Sequence, residues 1–548
     1  MKTRFYFNHI GIEEGSSACA LFNLSDWDAT PVEVVNTATG RTVSQLTPAE
    51  GQISFRELKL GALDLSELQA GRYTLRYGEE NSPPFAIGKH ILVKSTLSLV
   101  LDYFKSQRCS SPWDDKSVSF FGSREGSVDV HGGWYDASGD VSKYLSHLSY
   151  ANFMNPQQTP MALWALLEHL EKRAHCHEAG IFERLRDEAN HGAQFLCRMQ
   201  DPAGYFYTTV FDQWSKDPSR RLICAYKTQS GERLESYQAG MRQGGGMAVA
   251  ALARAGRVLG NQAYVDAAAK GWAHLEQYGL SYLDDGKENI IDDYCALMAA
   301  TELLDATSDK TYLQPLRKRA AQLMNRRVQT GPVGGWLRAD DLDRPYFHAA
   351  EAGLPIIALM NAAKVDKERA SVYQNASEDL MVYELAITGE KTNAFGYARQ
   401  YTQDIHGKKE TRFFIPHDNE TGYWWQGENA RLGSLAAAAG IVAAHTTNRT
   451  LKESLKSYAM NQLDWICGKN PFDSCMIHGF GRNNGNYMKE WPNVLGGITN
   501  GITSGYEDES DVDYGRNDLD GDNSWRWHEQ WMPHAAWFLI ALGELFPE

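Results

Sequence analysis

Short apolar runs separated by turn residues fill the N-terminal part of the chain. The runs lie at residues 4–8, 18–23, 32–35, 53–56, 73–77 and 85–92, with turn-forming residues between them, as at 36–40 and 83–84. Apolar stretches of this length, bounded by Gly, Pro and Asn, are typical of β strands. The pattern therefore predicts a small all-β domain at the N-terminus.

One segment in this region carries a more specific signal. Residues 68–75 read Leu-Gln-Ala-Gly-Arg-Tyr-Thr-Leu and resemble the tyrosine corner of immunoglobulin-like sandwiches. We predict an immunoglobulin-like β-sandwich over residues 1–92. A structural module packed on the rest of the chain is the favoured role, and carbohydrate binding is the alternative, because sandwich folds host many functions.

The apolar period changes to that of an α-helix after the sandwich. Helix-like stretches begin near residues 95, 158, 180, 242, 261, 290, 309, 346, 366, 427, 449 and 529. Several are rich in alanine, which suits helices packed closely on two sides. About twelve helices in sequential pairs predict an all-α (α/α)6 barrel over residues 93–548. An open solenoid is less favoured because no repeat signature recurs.

Long stretches without helical periodicity interrupt the barrel pattern, at residues 109–157, 201–241, 329–345, 389–426 and 468–528. Loops of this length inside a compact domain are usually functional. They hold nine tryptophans: Trp113, Trp134, Trp214, Trp336, Trp424, Trp425, Trp491, Trp525 and Trp527. Flat aromatic faces suit the apolar faces of sugars, so the loops predict a carbohydrate site.

Composition narrows the function classes further. The chain has 54 Lys+Arg against 69 Asp+Glu and a net charge of −15, which argues against nucleic acid and membrane surfaces as partners. No apolar run is long enough to span a bilayer. No secretory leader is recognisable, and eight cysteines without a CxxC pattern fit a reducing compartment. We expect a cytoplasmic enzyme without cofactors.

The first motif with chemical potential spans residues 132–140, Gly-Gly-Trp-Tyr-Asp-Ala-Ser-Gly-Asp. It places Asp136 and Asp140 four residues apart in a loop of small residues. Glycine lets a backbone approach a ligand closely, and two carboxylates near one point can position and deprotonate a water. An acidic turn, a helix cap or a calcium loop is the alternative interpretation of the spacing alone.

The second motif surrounds Glu529, which stands among Trp525, Trp527 and Trp531 just before the last helix. Apolar surroundings raise the pKa of a carboxyl group and keep it protonated, as a general acid requires. A glutamate in the first turn of a helix, where negative charge is favoured, is the alternative.

Taken together, these segments resemble glycoside hydrolase family 9. Residues 132–140 resemble the family's Gly-Gly-Trp-Tyr-Asp-Ala-Gly-Asp motif, and the Glu529 segment resembles its C-terminal Asn-Glu motif, with His528 in place of Asn. Residues 464–471 and 478–481 resemble two further family segments. The resemblance covers about residues 95–548. It implies Asp140 as general base, Asp136 as a residue holding the attacking water and Glu529 as general acid of an inverting hydrolase.

Further residues are candidates for contacts with sugar, and one short run is a candidate for metal binding. The predicted sugar contacts are Trp134, Tyr135, His417, Asp418, Trp424, Trp425, Glu428 and Trp525. Residues 344–348 are a weaker candidate, with packing at a helix start as the alternative. The run His175-Cys176-His177 lacks a second ligand cluster, so a metal site is not predicted there.

Two departures from the family pattern bear on the substrate. Ser138 lengthens the Asp-to-Asp spacing, and residues 489–497 replace the family's Pro-His-His-Arg segment. We predict an exo-acting enzyme that cleaves β-1,4 linkages of short oligosaccharides, preferentially of glucosamine, whose ammonium would pair with Asp136, Asp418, Glu420 or Glu428. Hydrolysis of cello-oligosaccharides by an endo-glucanase is the alternative. A non-catalytic sugar-binding protein and a helical-barrel isomerase are further alternatives.

Overall fold

The computed structural model describes residues 4–16, 18–49, 53–55, 58–114, 116–172, 179–331, 333–515 and 523–546. The N-terminal part is built of β1 (Phe5–Tyr6), β2 (Ile12–Glu13), β3 (Cys19–Asn23), β4 (Val32–Asn36), β5 (Thr42–Leu46), β6 (Ile53–Phe55), β7 (Leu58–Asp64), β8 (Gly71–Tyr77), β9 (Glu80–Asn81) and β10 (Phe85–Gly88).

These strands form two sheets around one core. The order is β1-β3-β7-β6 in the first sheet and β2-β10-β8-β4-β5 in the second, with β9 paired to β8. Phe22 and Leu63 from the first sheet pack in the same cluster as Val34 and Leu75 from the second. The region is therefore β-rich, as predicted. The Tyr73 hydroxyl donates a hydrogen bond of 2.9 Å to the carbonyl of Gln69.

The observed strands differ from the sequence pattern in several places, since β2, β5, β7 and β9 lie outside the predicted runs. Strand β7 is central in its sheet but is not among the predicted strands, because Gly61 and Ala62 lower its β propensity. Pro48 packs against Gly61 so closely that an added Cβ would be 2.6 Å away. The run at 85–92 ends as a strand at Gly88, since His90 turns the backbone with φ 56° and a helix begins at Ile91.

The rest of the chain is mainly helical. Its helices are α1 (Ile91–Ser106), α2 (Thr159–Lys172), α3 (Ala179–Arg198), α4 (Gly246–Leu259), α5 (Gln262–Tyr278), α6 (Ile290–Thr307), α7 (Leu313–Asn325), α8 (Leu354–Val365), α9 (Ala370–Gly389), α10 (Asn429–His445), α11 (Arg449–Ile466), α12 (Trp525–His528) and α13 (Met532–Leu545). None of the helices in the described ranges is long and apolar enough to cross a membrane.

The helices form an α/α barrel. Helices α2, α4, α6, α8, α10 and α13 contact one another in that order, and α13 closes the ring on α2. Helices α3, α5, α7, α9 and α11 pack outside the ring against the preceding inner helix, and α1 packs on α13 and α3. The inner helix α10 is buried from Asn429 to Ala443, because small side chains let neighbours approach on both sides. At Gly433 the backbone of Trp537 lies 3.0 Å from where a Cβ would stand.

Short strands in the connecting loops frame one end of the barrel. They are β11 (Val118–Ser119), β12 (Ser127–Val128), β13 (Lys143–Tyr144), β14 (Thr209–Phe211), β15 (Leu222–Tyr226), β16 (Arg233–Leu234), β17 (Arg327–Val328), β18 (Trp336–Leu337), β19 (Gln400–Gln403) and β20 (Lys409–Arg412). The sheet β13-β14-β15-β16 connects the loop that carries Asp136 and Asp140 to the loop after β14. This sheet supports the site described next.

Candidate active site

The two motifs that are farthest apart in sequence lie side by side in the structure. Ser138 N–H donates to the Gln530 carbonyl (2.8 Å), and Met532 N–H donates to the Asp136 carbonyl (3.1 Å). Gly139 takes a φ of 83°, a left-handed conformation that favours glycine. Backbone pairing therefore brings both aspartates next to the residues that flank Glu529.

Asp136, Asp140 and Glu529 line one cavity of about 400 Å³. The other lining residues are mostly aromatic and uncharged: Gly139, His147, Leu148, Trp214, Lys216, Thr228, Tyr423, Trp424, Gln426, Tyr487, Trp525 and Trp531. A concave site with aromatic walls and a few convergent polar groups is typical of a small-ligand site.

Asp140 is the most strongly held of the three carboxyls. Its Oδ1 accepts from Ser142 N–H (2.9 Å), and its Oδ2 accepts from the Tyr144 hydroxyl (2.9 Å) and the Trp214 indole N–H (3.2 Å). Burial raises its pKa to about 6, partly offset by the bonds from Ser142 and Tyr144. Asp140 is thus ionised at neutral pH and can accept a proton, as a general base must.

Asp136 has weaker partners. Trp531 Nε1 donates to its Oδ1 at 3.3 Å, and His147 Nδ1 lies 3.7 Å from its Oδ2. Burial and the charges of Asp140 and Glu529 raise its pKa well above the ordinary value. Burial also lowers the pKa of His147 to about 3, so this imidazole is neutral and adds no positive charge to the site.

The surroundings of Glu529 favour the protonated form of its carboxyl group. Burial and the negative charge of Asp140 raise its pKa well above the ordinary value, while Asn500 and Lys216 act in the opposite direction. Asn500 Nδ2 lies 3.5 Å from Glu529 Oε2, and Asn500 Oδ1 contacts His534 Nε2 at 2.7 Å. His534 is buried and neutral, with its pKa lowered to about 3. Glu529 therefore has the electrostatics of a general acid.

Several predicted sugar contacts lie elsewhere. Trp424 and Trp525 line the cavity. Trp134 is instead 1% exposed and donates its indole N–H to Glu188 (2.7 Å), so this prediction is corrected to a packing role. Tyr135 bonds to Ser110 through its hydroxyl and does not line the cavity.

The remaining predicted contacts are also placed behind or beside the cavity. Trp425 stacks on His417 with ring centres 3.9 Å apart, and neither lines the cavity. Glu428 is buried and accepts from Arg431, Gln400 Nε2 (2.8 Å) and Ile415 N–H (2.9 Å), which makes it part of a structural network. Asp418 does not line the cavity either.

Other cavity residues were missed by the sequence interpretation. His147 and Lys216 line the cavity and lie outside any motif, and Trp214 was predicted only as a loop tryptophan. Asn500 and His534, also outside any motif, do not line the cavity but form the buried hydrogen-bonded pair next to Glu529. One ligand atom each from Asp136, Asp140 and His147 lies within 4.8 Å of the others, so these three residues are the group that could hold a metal ion within the described ranges. The run 175–177 lies outside the described residues.

Comparison with known proteins identifies the class. The sequence matches the family described as glycosyl hydrolase family 9 over residues 94–491, a range that includes both aspartates. The chain belongs to this family and is a glycoside hydrolase, which sets aside the sugar-binding and isomerase alternatives. A search of curated protein sequences found no match.

Solved structures show the same fold along the whole chain. A metagenome-derived glycoside hydrolase family 9 endoglucanase is 17% identical with a TM-score of 0.69, and 99% of each chain is covered. A Bacteroides ovatus family 9 protein is 16% identical over 99% of each chain, with a TM-score of 0.68. A thermostable endoglucanase (single mutant) from Alicyclobacillus acidocaldarius is 14% identical over 100% of each chain, with a TM-score of 0.64.

Proposed function

We propose that this enzyme hydrolyses β-1,4 linkages in short, neutral gluco-oligosaccharides with inversion of configuration. The observation that carries the proposal is the convergence of Asp136, Asp140 and Glu529 in one aromatic-walled cavity. Burial raises the pKa of Asp140 to about 6 and that of Glu529 well above its ordinary value. An inverting hydrolase needs one carboxylate to activate water and one carboxylic acid to protonate the leaving oxygen.

The proposed mechanism uses each carboxyl once. Asp140 accepts a proton from water as that water attacks the anomeric carbon, and Asp136 holds the same water. Glu529 donates its proton to the glycosidic oxygen as the bond to the leaving sugar breaks. Trp424 and Trp525 offer apolar faces to the sugar rings.

We also infer that the N-terminal β-rich region is an immunoglobulin-like sandwich, because its two sheets enclose one core and Tyr73 bonds to the Gln69 carbonyl. The ring of six inner helices, each packed on an outer helix, supports the six-hairpin form of the barrel.

The charges around the cavity support a neutral sugar. Three of the carboxylates predicted to pair with an ammonium do not line the cavity. Of these, Glu420 is paired with Arg344 (2.5 Å) and Glu428 with Arg431. Lys216 does line the cavity and would repel a cationic substrate. The neighbours described as endoglucanases agree with this choice of substrate.

Glucosamine oligosaccharides remain a second candidate because of Asp136. Inversion needs two carboxyls, and this cavity holds three. The Asp136 side chain has one long hydrogen bond, from Trp531, and faces a neutral imidazole. An ammonium group placed there would relieve the repulsion that the charge of Asp140 exerts on Asp136.

Two loops meet over the Asp140 side of the cavity. The Lys216 ammonium lies 5.0 Å from the centre of the Trp491 ring, and an added Cβ on Gly139 would be 3.4 Å from Trp491. Val494 N–H donates to Gln530 Oε1 (2.9 Å) and Gln530 Nε2 donates to the Val494 carbonyl (2.8 Å). This segment replaces the Pro-His-His-Arg segment of the family. A loop on this side of the cavity would favour binding of a chain end and so exo action, whereas the neighbours described as endoglucanases favour internal cleavage as the alternative.

A comparison of disaccharides tests substrate and mode together. We expect kcat/KM for cellobiose to exceed that for the glucosamine disaccharide by at least about tenfold, because an unpaired ammonium beside Lys216 costs free energy. On cellopentaose, single glucose units should appear before any internal fragment. A preference for the glucosamine disaccharide would favour the second candidate, and early internal fragments would contradict exo action.

The stereochemistry of the first product is a separate prediction. Water activated by Asp140 attacks the face opposite the leaving group, so a β-linked substrate should release an α-configured sugar. Proton NMR of the anomeric signals during the first minutes, before mutarotation equilibrates the anomers, measures this directly. A β-configured first product would contradict the assignment of Asp140 as base.

A further inference from the structure

The indole of Trp214 makes a direct contact with the carboxylate assigned as base. Its Nε1 lies 3.2 Å from Asp140 Oδ2 and 3.2 Å from the Tyr144 hydroxyl oxygen. Tyr144 in turn donates to the same Asp140 oxygen (2.9 Å). Trp214 also lines the cavity and is 37% exposed. It therefore stands at the cavity surface with its polar edge on Asp140.

The backbone that presents this indole is strained. Gln213, Trp214 and Lys216 take φ values of 62°, 54° and 55°, a left-handed region that residues other than glycine rarely occupy. Strain of this kind persists only where the surroundings impose it. Asp212 imposes it here, since its buried carboxylate accepts from Lys216 N–H (2.7 Å) and from the Ser142 hydroxyl (2.6 Å).

The ring itself is held on several sides. Phe211 and Tyr226 contact it edge to face, with ring centres 5.2 and 5.9 Å away. Gly231 lies beneath it, where an added Cβ would be 2.5 Å from Trp214 Cζ3. Ser142, which bonds to Asp212, also donates its backbone N–H to Asp140 Oδ1. The loop after β14 and the loop of the base are thus one connected structure.

We propose that Trp214 is a positioning residue for the base, whose indole N–H orients the Asp140 carboxylate and stabilises its ionised form. This inference rests on the proposed role of Asp140. A hydrogen bond to a carboxylate favours the charged form and lowers its pKa. Burial acts in the opposite direction on this group, so a donor at Oδ2 keeps the base ionised over a wider range of pH.

Trp214→Phe tests the proposal because it removes the N–H and keeps a planar apolar ring. We expect kcat to fall about tenfold, and the acidic limb of the kcat/KM profile to move up by about one pH unit. Trp336→Phe is the matched control. Trp336 donates its indole N–H to the Thr330 carbonyl (2.6 Å) and lies outside the cavity. The kcat/KM pH profile of the Trp336→Phe variant should therefore match that of the parent enzyme.

A second variant disturbs the Trp214–Asp140 contact without changing the tryptophan itself. Gly231→Ala pushes a methyl group into the indole ring and should displace it from Asp140, with a shift of the acidic limb in the same direction. Unfolding temperatures of both variants show whether they fold. If both variants raise KM but leave the acidic limb of the kcat/KM profile unchanged, the proposal is overturned. Trp214 would then only contact the sugar.

The two possible failures can be told apart. If Asp140→Asn keeps its activity, the assignment of the base is wrong and the inference about Trp214 falls with it. If Asp140→Asn is inactive while Trp214→Phe shows an unchanged pH profile, only the positioning role is wrong.

Discussion

Asp140→Asn is expected to lower kcat by about 10²–10⁴-fold, the range that a general base contributes. The amide is isosteric, and its oxygen can still accept the bonds from Tyr144 and Trp214. Its NH2 group then faces the Ser142 N–H, and the amide cannot take a proton from water. Steady-state kinetics on the preferred disaccharide measure the loss. Asp129→Asn is the matched control. Asp129 lies in the same loop, pairs with His131 and does not line the cavity.

The same substitution should not destabilise the fold. The folded state raises the pKa of Asp140 from 3.8 to about 6, so it favours the neutral form of the group. The ionised carboxylate therefore costs stability that grows as pH rises from about 4 to about 6 and is fully present above that. The lost bond from the Ser142 N–H costs about 0.5–1.5 kcal/mol, which offsets part of the gain from removing the charge, so the variant should unfold at about the same temperature as the parent at pH 7. A clear drop in unfolding temperature would show that lost activity reflects a damaged fold.

Glu529→Gln is expected to separate substrates by their leaving groups. Loss of the acid should lower kcat by about 10²–10⁴-fold on disaccharides, since their leaving oxygen needs a proton. Activated aryl glycosides leave as stable phenolates and should keep activity within about tenfold of the parent. The alkaline limb of the pH profile, which reports ionisation of the acid, should also disappear. Glu490→Gln is a suitable control, because Glu490 is an exposed residue outside the cavity.

Equal losses on disaccharides and aryl glycosides would remove Glu529 from the acid role. The role of Asn500 can be tested alongside, because its amide lies between Glu529 and His534 and can orient the acid but cannot donate a proton itself. Asn500→Ala should lower activity less than Glu529→Gln if the amide only orients the acid. These two variants therefore distinguish a proton donor from the group that holds it.

Much of the fold could be predicted from local patterns. The change from short apolar runs to a helical period near residue 90 separates the β-rich part from the barrel, and predicted helix starts at 158, 261, 290 and 449 lie within a residue of the observed ones. Local periodicity reports such elements because burial on one face selects their residues. Strand β7 was missed because Gly61 serves a tertiary contact that local propensity does not reveal.

The aromatic residues illustrate the limit of that approach. Trp134 and Trp425 stand in the same motifs as cavity residues, yet Trp134 bonds to Glu188 on α3 and Trp425 stacks on His417. Trp214 and Trp531 reach the cavity instead. Which face of a loop turns inward depends on the helices packed behind it, and those partners are far away in sequence.

By itself, the sequence determined the order of the elements, the two motifs and the three carboxyls on which the proposed chemistry depends, because residue type and spacing carry this information directly. Only the tertiary structure decided which side chains share the cavity. In the structure, the Asp136 loop pairs with the segment around Glu529, and Lys216 and His147 lie beside the carboxyls. Glu428 is instead buried in an ion pair with Arg431. Burial and neighbouring charge, which set the pKa of each carboxyl, exist only once those distant segments have packed together.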